Sequence, residues 1–334
     1  MLDRNHGWCE SRWDREFALG KKIPYLPEDK SITSFFSYLF PGNELGTRGG
    51  MKFYQPDLPW FGYKDRKEAL ARGADRRLQE KGILTDTRFG DIVDVMVDNA
   101  SADTLSAYPL LIILGGLVLE DHHFKVLEEY VRGGGTLLLN AMHYPPGKYD
   151  FGGFSLDAGY QFYEGRTTCR ICSAAIDDYL YEYSAVKPIE GTRILMRNEE
   201  DHSGFPPLAV ERSLGKGRII TSLVYHYNIL KGEQMAPSVQ HLLDHLVGSI
   251  VPYLVKGDPI QTIFSGSVSD VHCQYVTLLN QHEKQWHGSV LSKTGRITSA
   301  SDAVTGQPVT IAGNQLSTTV EPFGVRIARV ILEQ

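Results

Sequence analysis

The sequence predicts an α/β protein: a doubly wound sheet domain over residues 63–256, followed by a small antiparallel β-sandwich over 257–334. Three observations point there. Two unbroken apolar runs, Leu110–Leu114 and Leu137–Leu139, read as strands buried on both faces of a parallel sheet. A helical pattern lies between them, with glycines at each junction, so right-handed βαβ units follow. Beyond residue 257 helical patterning stops, and short alternating runs separated by Gly, Asn and Asp take over.

Residues 1–62 are rich in aromatics and prolines and weak in periodicity, which predicts a mostly irregular segment wrapped on the next domain. Asp65 is placed to cap a helix that carries Ala69, Leu70, Ala74 and Leu78 on one face and stops at Gly82. A strand is expected at 91–97, and the buried strand 110–114 ends in Gly115-Gly116. The next helix presents Phe124, Leu127, Tyr130 and Val131 on one side and ends at Gly133-Gly134-Gly135, ahead of the strand 136–139. From 143 to 203 the pattern loosens into turns and short strand-like pieces. Residues 208–212 and 218–224 flank Gly215-Lys216-Gly217 as a hairpin. A helix with Val239, Leu242, Leu243, Leu246, Val247 and Ile250 on its apolar face closes the domain before Pro252.

Apolar residues make up 42% of the 334 and charged residues 22%, enough for cores of ordinary size. A net charge of −6 argues against nucleic acid or an anionic membrane as the main partner. No apolar run is long enough for a transmembrane helix, and the first residues lack the apolar centre of a signal peptide, so a cytoplasmic location is expected of the sequence as it stands; a chain from which a signal peptide had been removed would read the same. No cofactor is expected, because neither type of nucleotide-binding glycine loop occurs.

Ligand sites in parallel sheets lie at the carboxyl ends of strands. His143 follows one such strand and His226 another, so Asn140, His143, Tyr144, Tyr225, His226 and Tyr227 are candidates for one crevice. In it His143 and His226, with Tyr144 and Tyr227, suit general acid and base roles, including β-elimination from a uronic acid. Asn140, Trp60 and Trp286 are the candidate substrate contacts, the two indoles because aromatic faces stack on pyranose rings. The competing reading is a polar rim of hydrogen-bonded side chains, with Trp286 plugging the end of the sandwich. Cys169 and Cys172 form a CxxC with no second CxxC, and read as ordinary strand or loop cysteines. His241 and His245 lie one helical turn apart, but without the glutamate of HExxH; no metal is expected.

Three stretches, 108–140, 206–223 and 301–330, carry a family likeness in their order. They resemble the class I glutamine-amidotransferase-like (flavodoxin-like) domain and the C-terminal β domain that follow the catalytic barrel in some glycoside hydrolases, above all β-galactosidases whose middle domain mediates trimerisation. The resemblance implies a carbohydrate partner and a homo-oligomer. The catalytic carboxylates of those enzymes sit on a barrel of at least about 250 residues, and only about sixty residues precede the α/β region here. An amidotransferase places a nucleophilic Cys on the turn after the strand at 136–140. This chain has Asn140-Ala141-Met142-His143, so glutamine hydrolysis is not expected. Three readings stay open: an accessory, oligomerisation or glycan-binding module; a glycosidase or polysaccharide lyase with its site at the strand ends; and the C-terminal piece of a split or truncated barrel hydrolase.

Overall fold

The computed structural model describes Ser31, Ser34, Phe35, Tyr38, Leu39, Phe89, Asp94 and Met96. It also describes residues 98–333, apart from short interruptions at 200–205, 231–233, 259, 268, 271 and 281–282. The expected helix at 65–82 lies outside the described residues, as does the strand at 91–97 except for Asp94 and Met96. Among the described residues no helix is long and apolar enough to cross a membrane. The chain divides into two units, the first holding 94–250 together with Ser31, Ser34, Phe35 and Tyr38, the second holding 251–333 together with Leu39 and Phe89.

In the first unit a short helix α1 (Ala102–Leu105) is capped by Ser101 and leads to strand β1 (Leu110–Ile112). Helix α2 (Asp121–Gly133) and strand β2 (Thr136–Asn140) follow, and β2 pairs parallel with β1. The helix stops where expected: Gly134, at φ 126, bonds back to the Tyr130 and Val131 carbonyls. Then come β3 (Phe154–Cys169), β4 (Ala175–Pro188), β5 (Thr192–Asn198), β6 (Pro207–Leu214), β7 (Gly217–Ser222) and β8 (Val224–Ile229), and helix α3 (Pro237–Ile250) closes the unit.

These strands form one sheet of order β1-β2-β7-β6-β5-β3-β4-β8. Among the described residues only β1, β2 and β7 run parallel, and every other neighbouring pair is antiparallel. The expected doubly wound α/β sheet, and with it the amidotransferase-like topology, is therefore corrected. Among the described residues the unit is mostly β, with a single βαβ crossover through α2, and β2 and β7, neighbours in the sheet, are separated in sequence by the four strands β3–β6. The physical reason lies in 143–203. That loosely patterned stretch holds the longest strands of the unit, 16 residues in β3 and 14 in β4. Their pairing shifts between Leu156 and Ala158, between Ala158 and Tyr160, and between Tyr163 and Gly165. Each bulge adds an extra residue to one strand, so the two-residue alternation that betrays a strand is lost.

Leu223 alone separates β7 from β8, yet the two strands stand far apart in the sheet order. Its N–H donates to the Leu208 carbonyl of β6 and its carbonyl accepts from the Ser184 N–H of β4. The sheet must therefore curl until β4, next to the β8 edge, returns to the end of β7. The core beneath it gathers Leu111, Leu127, Val131, Leu137, Leu139, Val210, Ile219 and Leu223.

The second unit has two four-stranded antiparallel sheets. One has the order β10 (Gln261–Gly266), β11 (Cys273–Leu279), β16 (Val325–Glu333), β13 (Arg296–Asp302). The other has β14 (Thr310–Ala312), β15 (Gln315–Val320), β12 (Trp286–Ser292), β9 (Tyr253–Lys256). Both contribute to one core, with Val276, Leu278, Ala328 and Val330 from the first sheet and Tyr253, Trp286, Val290 and Leu316 from the second.

Candidate functional site

The strand ends singled out by the sequence do come together, but in the interior. His143 is fully buried. Its Nδ1 accepts the Asn140 N–H at 3.0 Å, which fixes the proton on Nε2, and Nε2 donates to the Gly115 carbonyl at 3.1 Å. Burial pushes the imidazole down to about 4, against the help of the Gly115 carbonyl. The side chain of Asn140 donates to the Val224 carbonyl at 2.5 Å and accepts the Met142 N–H at 3.2 Å. Tyr227 donates its hydroxyl to the Ile113 carbonyl at 3.0 Å, and burial raises it well above the ordinary phenol range. Ser31 Oγ accepts the Gly115 N–H at 3.1 Å, and Ser34 donates to Asn228. Helical residues from the N-terminal segment thus fill the space over the strand ends.

Tyr144 turns away from this group. Its hydroxyl meets Thr221 Oγ1 at 2.8 Å, inside the core beside Phe124 and Phe154. His226 is buried with its backbone at φ 52, followed by Tyr227 at φ 65. Two successive non-glycine residues in the left-handed region are strained, and here they turn the chain so that Tyr227 reaches Ile113. Trp286 is also interior, 3% exposed, and its indole N–H donates to the Asp258 carbonyl at 2.7 Å. Trp60 lies outside the described residues. Asn140, His143, Tyr144 and Tyr227 therefore serve as internal struts, and none of the four offers a proton to a ligand in solution.

An exposed aromatic face lies elsewhere, on the long hairpin. Tyr160 and Phe162, two apart on β3, are 54% and 60% exposed. Phe162 stands opposite Glu182 of β4, and Tyr160 opposite Ser184. Tyr225 of β8 meets Tyr160 edge to face at 4.8 Å. Burial and then the Glu182 charge raise the Tyr160 phenol, and burial raises the Glu182 carboxyl. The sequence signal was present, an aromatic at every second residue of a strand, but the surrounding bulges hid the strand itself.

A third group is the CxxC. Cys169 ends β3, Cys172 lies in the turn to β4, and His241 of α3 joins them, with Cys172 Sγ 3.1 Å from His241 Nε2. Both thiols are free of disulfides. Burial raises the Cys169 thiol, against backbone N–H groups of Cys172 and Ile171 that reach its sulfur. His245, one helical turn on, is not part of this group.

No family model and no curated protein matches the chain. Among solved structures it is similar to a GH42 β-galactosidase from G. stearothermophilus (15% identity, TM-score 0.49, 80% of this chain and 37% of that one). It is also similar to a β-galactosidase from Bacillus circulans sp. alkalophilus (14%, 0.48, 73% and 35%). A third is α-L-fucosidase isoenzyme 2 from Paenibacillus thiaminolyticus (15%, 0.44, 72% and 43%). These neighbours are glycoside hydrolases, and the chain spans well under half the length of each.

Proposed function

We propose that this chain is a carbohydrate-related protein of glycoside-hydrolase type that binds glycan as an accessory module. The observation that carries the reading is the exposed face formed by Tyr160, Phe162 and Tyr225 beside the Glu182 carboxylate. Aromatic faces bind the C–H faces of sugar rings, and a neighbouring carboxylate accepts their hydroxyl hydrogen bonds. The histidines and tyrosines at the strand ends lend no support to acid–base catalysis, since His143, Tyr144 and Tyr227 are committed to internal partners. The three sequence stretches that resemble the domains following a glycosidase barrel favour the same chemical class. The same resemblance extends the proposal to a homo-oligomer, which light scattering coupled to gel filtration would measure.

The test is to incubate the protein with a mixed pool of plant, algal and bacterial oligosaccharides, then profile products by mass and retention by affinity. Selective retention without products is the expected result. Retention should fall about tenfold in Phe162→Ala or Tyr160→Ala, the equivalent of 1.4 kcal/mol. Products that have gained water, or carry a new unsaturation, and that vanish in Glu182→Gln would replace the accessory reading with an enzyme at the same face. Retention unchanged in both aromatic variants would remove this face from consideration.

A further inference from the structure

We infer that Cys169, Cys172 and His241 form a binding site for a thiophilic divalent cation, zinc by its ligand chemistry. The site is independent of the glycan reading and lies at the opposite end of the long hairpin from Phe154. One ligand atom from each residue lies within 4.8 Å of the others. In a tetrahedral zinc site, bonds of about 2.3 Å to sulfur and 2.0 Å to nitrogen set ligand atoms about 3.5–3.8 Å apart. The Cys172–His241 contact of 3.1 Å and the 4.8 Å limit bracket that spacing, so small side-chain rotations suffice.

The backbone is built for it. β3 ends at Cys169, whose N–H donates to the Ala174 carbonyl at 2.8 Å, closing the turn. Ser173 follows the second cysteine at φ 60, a left-handed residue in the turn that leads back into β4. His241 is brought there by α3, and the register of α3 on the hairpin is fixed by Asp178 of β4. One carboxylate oxygen accepts the Ser238 N–H at 2.9 Å, and the other accepts the Thr167 hydroxyl at 2.5 Å. Two thiolates and an imidazole suit zinc, copper(I) or cobalt(II) far better than magnesium or calcium. On binding, both thiols lose their protons to solvent, neutral His241 donates a lone pair, and a water completes the tetrahedron on the exposed Cys172 side. The ion would then tie the hairpin tip to α3.

The experiment titrates metal-free, fully reduced protein with cobalt(II) as the optical stand-in for zinc. One equivalent per chain should raise a thiolate-to-cobalt charge-transfer band in the near ultraviolet and intense visible bands of tetrahedral symmetry. Zinc should bleach both. Cys172→Ser and His241→Ala should each abolish the charge-transfer spectrum or reduce it sharply, while His245→Ala should retain it. On the unaltered protein, zinc should also slow alkylation of Cys172, a reading that needs no variant to fold. Absence of the bands, their survival in both ligand variants, or alkylation of Cys172 at one rate with and without zinc would overturn the site.

Discussion

His143 shows how a residue with the chemistry of a catalyst can be spent on architecture. Both ring nitrogens are engaged in the dry interior, and its pKa is pushed down to about 4 from an ordinary 6.5. In that state the unfolded chain binds a proton that the folded chain refuses, so stability is complete above about pH 6.5 and falls as pH drops toward 4. The full loss from this one group is at most about 3 kcal/mol. Thermal unfolding measured across that window should show the slope, and His143→Gln should flatten it. The same variant should be about 2 kcal/mol less stable at pH 7.5, where the imidazole is neutral in both states, because a buried bond is lost. A variant with the slope of the parent would mean another group sets it. No pattern in the sequence separates such a strut from a general base, because both place a histidine after a strand; only the partners decide.

At the scale of elements, what the sequence revealed is what obeys a simple period. β1, α2 and β2 were legible because apolar runs and terminal glycines mark them, and the β6–β7 hairpin and α3 were legible for the same reason. The β3–β4 hairpin was not, since its bulges break alternation. Nor was the Cys–His cluster, whose members sit 69 residues apart and meet only because α3 lies on that unseen hairpin. Two element contacts can be tested by stability. Asp178→Ala removes the acceptor for the Ser238 N–H and the Thr167 hydroxyl, and should cost about 1–3 kcal/mol by urea denaturation. Gly217 opens β7 against the end of α2, where a Cβ would stand 2.2 Å from both the Gly135 and Val131 carbonyl oxygens. Those atoms are backbone and cannot rotate away, so Gly217→Ala should destabilise by more than about 2 kcal/mol. A neutral Gly217→Ala would show that α2 and β7 can separate without loss.

Across the whole molecule, two cores share no member: one under the eight-stranded sheet, the other between the two small sheets. Leu139→Ala and Leu316→Ala, each at a position with no exposure, should therefore each lower a different step of calorimetric unfolding, by about 2–5 kcal/mol. A single transition lowered by both would instead mark one cooperative block. The curled sheet has a kinetic side as well. Each antiparallel hairpin joins neighbours in sequence and can zip early, but β2 receives β7 only after β3, β4, β5 and β6, which lie between the two in sequence, have been made. Closing so long a loop is entropically slow. During synthesis the β7-facing edge of β2 must wait for residues 217–222 to leave the ribosome, and over that interval Leu137–Leu139 present an apolar strand with one open edge. Chaperone capture and misassembly of the nascent chain should concentrate at that seam, and a ribosome stalled with residue 140 already outside it and residues 217–222 still inside should hold the most aggregation-prone form.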